Sequence, residues 1–358
     1  MIINILAIIF VFGTVIIIHE LGHFLVAKKA GIKVEKFSFG LGPPIFKFKK
    51  GETTYQISPF PLGGFVKLAG EYPEEAKKDS SPQEKKREYF SKPLGIRALV
   101  IAAGPFNNIL LGFLIFVFVF LLGVETPDFS LAKIGTFTEN GPAEKSGLQK
   151  GDVILMIDNV RINRWEDMAE IIHRSAGEKL KFLVKREKEE FSLDIIPEEK
   201  LLPVPSGKME KIGLIGIMPA THTERVGLPL AIKKAAINTK DVTVLIFVAL
   251  KKIFTKEIPV KYLAGPVGIA QLTARFAHTG LSNFFSFIAL ISINLGIINL
   301  FPFFILDGGR IAGLGIEKIT GKTPSKRLLE ISQTVGIALL LALFLFITYN
   351  DLLRLFKK

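Results

Sequence analysis

The feature that most constrains this chain is an apolar stretch, residues 2–27, that contains the motif His19-Glu20-Leu21-Gly22-His23. About 20 apolar residues in helical form cross the hydrocarbon core of a bilayer. The stretch therefore predicts a membrane-spanning helix with three ionisable side chains near one end. A charged group at membrane depth costs roughly 2.5–3.5 kcal/mol, and side chains that carry this cost generally serve a function.

The spacing of the motif indicates a metal site. His19 and His23 are four residues apart, so a helix presents both on one face, where they can share a metal ion. Glu20 lies beside them, placed to accept a proton from a water on that metal. The alternative is a chance pattern on a helix surface. The chain has five histidines, and two of them form this pattern inside an apolar run, which favours the metal site.

Composition indicates membrane spans combined with a folded extramembrane part. The chain has 358 residues, of which 49% are hydrophobic and 22% charged. The absence of cysteine excludes disulfides and thiolate metal ligands. The formal charge of +13 comes with no nucleic-acid motif, and the basic residues lie beside apolar runs. We therefore expect the lipid bilayer, with its anionic headgroups, as partner, and no nucleic acid.

Hydropathy and turn residues divide the chain into nine segments. In order, the sequence predicts a first span (1–30), a β-sheet (31–70), a charged linker with little to bury (71–97), a second span (98–123), a soluble domain (125–198), a connector with an interfacial amphipathic helix (199–280), a third span (281–301), a loop that contains Asp307 (302–332), and a fourth span (333–350).

Two of these segments leave alternatives open. The predicted sheet alternates apolar and polar residues between Gly and Pro breaks; an open edge could pair with an extended peptide, or the sheet could serve packing alone. Asn107 and Asn108 fall early in the second span. Such residues either hydrogen-bond to a neighbouring helix or shape a site.

Asp307 is the predicted third metal ligand. A catalytic zinc site usually has three protein ligands and one open position. Asp307 ends an apolar segment next to Pro302 and two glycines, where a carboxylate has no structural reason to be. The other histidines, His173, His222 and His278, fall in or near extramembrane parts, and we expect them not to be ligands.

Several motifs together resemble the bacterial site-2 protease family, of the RseP-like type. They are the His-Glu-x-x-His motif, N-L-F-P-x-x-x-L-D-G at 299–308, F-G-L-G-P at 39–43, F-x-K-P and A-G-P-F-N-N within 90–108, and G-P-V-G-I-A at 265–270. The run G-P-A-x-x-x-G-L-x-x-G-D-x-I-x-x-I-D at 141–158 resembles a PDZ domain.

The resemblance implies a polytopic α-helical membrane protein with about four transmembrane helices, a membrane-associated β-sheet and one extracytoplasmic PDZ domain. It also implies an intramembrane zinc metalloprotease in the inner, cytoplasmic membrane of a bacterium. Its zinc ligands would be His19, His23 and Asp307, with Glu20 as general base. Asn299 would hold the substrate or stabilise the oxyanion.

The resemblance further implies single-span membrane proteins or signal-peptide remnants as substrates, and it leaves the oligomeric state open. We expect the amino terminus outside, 28–97 inside, the PDZ region outside and 302–332 inside. Basic residues follow the first span, and the loop 302–332 contains Lys318, Lys322, Lys326 and Arg327. The PDZ region could filter substrates by size or recruit them.

Two departures from the family pattern leave the path of the Asp307 loop open: Phe304 stands where a proline is common, and Arg310 where a histidine is common. The rival function is a membrane zinc transporter or a metal-dependent receptor without proteolysis. A single site with an adjacent glutamate is a poor transport pathway, because transport usually needs polar residues through several spans.

Overall fold

The computed structural model describes residues 2–71, 81–138, 140–203, 209–257, 265–303, 305–321 and 326–356. Phe304, Lys322 and most of the charged stretch before residue 81 lie outside the described residues. The chain forms two compact units, Gly123–Arg225 and the remainder, Met1–Leu122 with Val226–Lys358.

The elements follow one another along the chain in this order. Before residue 123 they are α1 (Ile2–Lys29), β1 (Val34–Leu41), β2 (Phe46–Lys50), β3 (Thr53–Ile57), β4 (Phe60–Leu68), α2 (Pro82–Lys85) and α3 (Leu94–Leu122). The unit 123–225 contains β5 (Val124–Pro127), β6 (Ile134–Phe137), α4 (Pro142–Lys145), β7 (Val153–Ile157), β8 (Val160–Arg161), α5 (Trp165–Arg174), β9 (Leu180–Arg186), β10 (Glu189–Ile195), β11 (Glu198–Pro203), β12 (Met209–Leu214), β13 (Ile217–Pro219) and β14 (Thr221–Glu224). After it come α6 (Leu228–Phe254), α7 (Pro266–Phe276), α8 (Leu281–Asn299), α9 (Asp307–Thr320) and α10 (Lys326–Phe356).

Among the described residues, four helices are long and apolar enough to cross a membrane: α1, α3, α8 and the part Thr334–Arg354 of α10. Their outward faces carry large apolar side chains that water would not tolerate, such as Leu114 on α3 and Leu339 on α10, which are 52% and 66% exposed. The protein is therefore a multi-pass membrane protein that also contains β-sheets.

Close packing of α1 against α3 brings the histidine motif to the second span. A Cβ on Gly22 would collide with the backbone carbonyl of Ala103. A Cβ on Gly104 would meet the rings of both His19 and His23. Small residues let two helix backbones approach this closely in a membrane. The A-G-P-F-N-N motif thus supplies the surface on which the two histidines lie.

The predicted sheet is present, with the strand order β2-β3-β1-β4 in the described chain. One face carries aromatic side chains that pack on α1: Phe24 of the helix lies 5.4 Å from Phe37 and 6.1 Å from Tyr55, measured between ring centroids. Because side chains alternate along a strand, the opposite face carries Lys36, Thr54 and Lys49 at paired positions. Strand β4 forms one edge of the sheet.

The linker prediction is wrong for the described residues that precede α3. Tyr89 is only 3% exposed and packs in a core cluster with Ile32, Val34 and Leu68. Burial raises the pKa of Tyr89 to about 12, so its hydroxyl stays neutral. The next residue, Phe90, stacks on the guanidinium of Arg97 at 4.8 Å. These two aromatic residues pack the described end of this charged segment against the core cluster and α3.

The predicted loop 302–332 contains a helix, α9, whose first residue is Asp307. It ends at Gly321, which has a left-handed conformation with φ of 67°, a common C-terminal cap. Pro302 and the flanking glycines indicated a break in the third span, but they did not indicate that a new helix begins directly at the acidic residue.

The unit Gly123–Arg225 extends beyond the predicted 125–198. Strands β13 and β14, in the segment expected to be a connector, return to pair with β6 and β5. A second sheet has the order β10-β9-β7-β8 within the described residues, and α5 packs on its buried face through Met168 and Ile172. Proline and glycine near these short strands hid their alternation in the sequence.

The predicted amphipathic helix is present as α6. Its buried side, which includes Ala235 and Val242, packs against α3 and α8. Elsewhere on the same helix, Leu245 and Phe247 are exposed. That this helix lies in the membrane interface stays a prediction.

Candidate metal centre

The structure brings the three predicted ligands to one point. The Nε2 atoms of His19 and His23 are 3.3 Å apart. Oδ2 of Asp307 lies 3.1 Å from Nε2 of His19 and 3.4 Å from Nε2 of His23. Helix α1 supplies both histidines on one face, and the start of α9 supplies the carboxylate. Residues nearly 290 positions apart in sequence thus form one cluster of ligand atoms.

This cluster fits a zinc ion. Ligand atoms at about 2.0–2.1 Å from a tetrahedral zinc lie roughly 3.3–3.4 Å from one another, which matches the three distances above. Oδ2 of Asp307 is buried and has no hydrogen bond of acceptable geometry among the described residues. With the protons of both imidazoles on Nδ1, the two Nε2 atoms and Oδ2 of Asp307 all present lone pairs to one point, and a cation there relieves their mutual repulsion. Two imidazoles and one carboxylate are also a usual donor set for catalytic zinc.

Helix α9 is held so that Asp307 faces the histidines. Gly308 packs against the backbone carbonyls of Leu300 and Phe301 too closely for any side chain. Further along α9, Glu317 forms a bidentate ion pair with Arg97 of α3, and the two side chains are only 12% and 5% exposed. The F-x-K-P motif contributes Phe90 to this arrangement, because its ring covers Arg97.

Arg310 is not a ligand. Its guanidinium donates a hydrogen bond of 2.7 Å to Oε1 of Glu71, just beyond the end of β4. Oε2 of Glu71 in turn accepts a hydrogen bond of 3.4 Å from the amide of Leu68 at the last position of β4. The arginine that departs from the family pattern therefore joins the ligand-bearing helix to the edge strand.

His23 is oriented by the backbone of α3. Its Nδ1 donates a hydrogen bond of 2.8 Å to the carbonyl of Val100. With its proton on Nδ1, His23 keeps a lone pair on Nε2, and Nε2 faces the cluster as a metal ligand. Nothing in the sequence indicated Val100, because any residue at this position would supply the same carbonyl.

The cluster opens into a cavity of about 680 Å³. Glu20 and Asn299 line this cavity with the three ligands, and so does the middle of β4 at Gly64 and Phe65. The Nδ2 atom of Asn299 lies 3.4 Å from Nε2 of His19. All five site residues predicted from the sequence therefore line one cavity bordered by the edge strand.

The remaining histidines lie elsewhere. His278 contacts Asn4 at 2.9 Å, and His222 contacts Thr126 at 3.3 Å. Within the described part of the chain, the metal-binding group of three found by geometry is His19, His23 and Asp307.

The fold and the cavity define a class: a multi-pass membrane protein with a metallopeptidase-type centre that combines a His-Glu-x-x-His helix with a distant carboxylate. Comparison with known proteins identifies the family. Residues 7–343 match the model of peptidase family M50, and the chain belongs to this family. It is a zinc metalloendopeptidase, and zinc is its cofactor.

The curated relatives match over nearly their whole length. The chain is 32% identical to "Regulator of sigma-W protease RasP" of Bacillus subtilis, covering 99% of both chains. It is 32% identical to "Zinc metalloprotease RasP" of Geobacillus kaustophilus, covering 99% of this chain and 98% of the relative. It is 30% identical to "Probable protease eep" of Enterococcus faecalis, covering 99% of both.

Among solved structures, a PDZ domain of an SdrC-like protein from Listeria monocytogenes covers 26% of this chain and 88% of its own, at 20% identity and a TM-score of 0.18. A likeness at this TM-score carries no argument, so the PDZ interpretation of 125–198 stays a prediction. The relatives give no support to the rival function of a transporter or receptor.

Proposed function

We propose that the protein cleaves peptide bonds within transmembrane segments of single-span membrane proteins or of signal-peptide remnants. The observation that carries this proposal is the position of the metal cluster at the end of a membrane-spanning helix, in a cavity beside an edge strand. The relative named as a regulator of sigma-W protease supports a substrate that restrains a transcription factor, such as an anti-sigma factor.

In this proposal His19, His23 and Asp307 hold the zinc ion. When bound, zinc supplies Lewis-acid chemistry, which lowers the pKa of a water toward about 7 and polarises a carbonyl. Glu20 lines the cavity next to the ligands, so it accepts the proton of the attacking water. Glu20 then passes this proton to the leaving nitrogen, which completes peptide hydrolysis.

Asn299 stabilises the oxyanion. Its amide nitrogen lies 3.4 Å from a ligand atom, on the cavity side of the cluster. A donor fixed there by the end of α8 can bind the oxygen of the tetrahedral carbon as its negative charge develops. Removing one such donor from other hydrolases costs on the order of 10²–10³ in rate.

Strand β4 holds the substrate in extended form. A helix hides its amides in internal hydrogen bonds, so a transmembrane segment must unwind before it can be cut. The edge strand borders the cavity at Gly64 and Phe65, and a Cβ on Gly64 would lie 2.8 Å from Cγ of Glu20. An unwound segment that pairs with β4 therefore lies beside the proposed base.

We place the cavity toward the cytoplasmic face of the bacterial inner membrane. Lys28 and Lys29 end α1, and basic residues near the end of a span favour the cytoplasm. The predicted PDZ region, 125–198, then lies outside. Of its two possible roles, filtering substrates by size and recruiting them, we propose the filter. Because the chain has no cysteine, single engineered cysteines report this topology directly. Labelling of a cysteine in 123–225 only after permeabilisation would contradict it.

The test of the catalytic assignment compares Glu20→Gln with His23→Ala. Each variant is co-expressed with candidate single-span proteins, and both cleavage and zinc content are measured. Glu20→Gln keeps the zinc and loses at least 10²-fold in cleavage rate. His23→Ala loses both. Near-native cleavage by Glu20→Gln, or full zinc content in His23→Ala, would refute the assignment.

The test of strand pairing places prolines in the substrate. If unwinding alone limits cleavage, every proline near the scissile bond should accelerate it, because proline breaks helices. If the substrate pairs with β4, prolines at alternate positions should block cleavage, because each removes an amide donor needed by the edge strand. Uniform acceleration would contradict pairing.

A further inference from the structure

Asn108 of the A-G-P-F-N-N motif lies against a metal ligand and has no role in the steps above. It is fully buried, at 0% exposure, in the middle of the second span. Its Nδ2 atom lies 3.4 Å from Nδ1 of His19. Its other amide atom, Oδ1, has no hydrogen-bond partner among the described residues. Buried polar groups are normally hydrogen-bonded, so a buried side-chain amide whose one polar contact is with a metal ligand needs a specific explanation.

The backbone around Asn108 is fixed from two sides. The hydroxyl of Ser292 on α8 donates a hydrogen bond of 2.7 Å to the carbonyl of Asn108. Gly296, one turn further along α8, packs against Pro105 and Asn108 without room for a side chain. The side chain of Asn108 is therefore directed at His19 by the packing of three spans.

The chemistry of the ligand decides what this amide must do. Nε2 of His19 faces the cluster, so it must carry a lone pair to bind a metal. A neutral imidazole then carries its proton on Nδ1, and that proton needs an acceptor. His23 meets the same requirement with the carbonyl of Val100. In the part of the chain that the structure describes, the side chain of Asn108 is the polar group within hydrogen-bonding distance of Nδ1 of His19.

We propose that Asn108 is a positioning residue: its amide oxygen accepts a hydrogen bond from Nδ1 of His19 and so presents Nε2 of His19 to the zinc ion. Rotating an Asn amide by half a turn about its Cβ–Cγ bond exchanges its oxygen and nitrogen while the shape of the side chain stays the same. With nitrogen toward Nδ1, two donors would face each other. No other hydrogen bond of the amide among the described residues opposes the turn.

This inference rests on the proposed ligand set. It adds that the two histidines are oriented by different means, one by a backbone carbonyl that no substitution removes and the other by a side chain that a single substitution removes. Loss of such a partner typically lowers metal affinity 10–100-fold.

The experiment measures the zinc affinity of the purified full-length protein in detergent, by competition with a chelator, and the visible spectrum of the cobalt-substituted protein. The variants are Asn108→Leu, which keeps the volume without the acceptor, Asn108→Ala, and Asn108→Asp, which keeps the acceptor. Asn107→Leu is the matched control, because its neighbouring amide bonds the backbone carbonyl of Ile18 at 3.4 Å and not a ligand.

The proposal expects Asn108→Leu and Asn108→Ala to bind zinc 10–100-fold more weakly and to change the cobalt spectrum. Asn108→Asp should bind within about threefold of native, and so should Asn107→Leu. If Asn108→Leu does not fold, Asn108→Ala gives the same comparison. Native affinity in whichever of these two variants folds would overturn the proposal, and so would equal losses in Asn107→Leu or no recovery in Asn108→Asp.

His23→Ala separates this result from the ligand assignment. If His23→Ala still binds zinc as the native protein does, the proposed ligand set is wrong. If His23→Ala loses zinc while Asn108→Leu does not, the ligand set stands and the role of Asn108 is refuted.

Discussion

Replacing Gly104 by alanine tests how tightly the second span defines the metal centre. A Cβ built on Gly104 lies 2.6 Å from Cε1 of His23 and 2.9 Å from Cε1 of His19, and closer still to Nε2 of His23. Carbon atoms in contact are normally about 3.5 Å or more apart. The ring of His23 would therefore have to move by about 1 Å.

Such a shift exceeds what a zinc site accepts. Metal–ligand distances tolerate about ±0.2 Å, and the bond from His23 to the Val100 carbonyl opposes any displacement of the ring. We expect Gly104→Ala to lower zinc affinity on the order of 10²-fold or more, with a matching loss of peptidase activity.

The matched control is Gly95→Ala on the same helix. A Cβ on Gly95 meets no atom within 4 Å, and alanine is the better helix former by up to about 1 kcal/mol. Both variants gain the same methyl group, so a difference between them reflects the contact with the histidines. Chelator competition gives the affinities, and unfolding in detergent with and without zinc gives an independent measure, because bound zinc stabilises the folded state. Zinc affinity within threefold of native in Gly104→Ala would refute the reasoning.

Two further predictions concern ion pairs in which one partner is buried. Glu317→Gln should lower the free energy of unfolding by about 3–5 kcal/mol, because it leaves the guanidinium of Arg97 buried without its partner; thermal unfolding measures this. In the unit 123–225, burial raises the pKa of Asp152, but the hydrogen bonds from Arg186 and from a backbone amide lower it more, so the pKa is below its ordinary value. A depressed pKa stabilises the fold above the unfolded value, about 3.9, and this stability is lost as the pH falls through the folded value. Trp165, the one tryptophan of the chain, reports unfolding of this unit by fluorescence, and Asp152→Asn should remove that part of the acid sensitivity.

Each of these two predictions has a result that would contradict it. A Glu317→Gln variant that unfolds within 1 kcal/mol of the native protein would show that the ion pair does not hold the ligand-bearing helix. An Asp152→Asn variant with the same acid transition as the native chain would show that other carboxylates cause it. Exposed pairs such as Arg174 with Glu170 serve as controls, because surface ion pairs contribute about 0–1 kcal/mol.

The sequence predicted the site residues whose side chains are charged or can bind a metal. Charged and metal-binding side chains in apolar surroundings are conspicuous, so His19, Glu20, His23 and Asp307 were identified by type and spacing. The structure places all four side chains in one cavity, and their roles stay a prediction. The residues that orient them were not identified, because a carbonyl such as that of Val100 has no signature in the sequence.

The fold was predictable where one hydrophobic pattern dominated. Four spans and a sheet followed from run length and alternation. The start of α9 at Asp307, the burial of Tyr89 and the return of strands β13 and β14 were missed for a common reason. Each depends on contacts with distant segments, and short elements have too little periodicity to reveal them.

The pairing of β5 with β14 has a consequence for how the unit 123–225 can be replaced. These strands begin and end the unit 123–225, and immediately beyond them the amide of Val226 bonds the carbonyl of Phe120 at 3.4 Å. The two chain ends left by excising the unit are thus already adjacent. We therefore expect that a short peptide joint can replace the unit without stretching α3 or α6, and that a different folded domain with neighbouring termini can be inserted in its place.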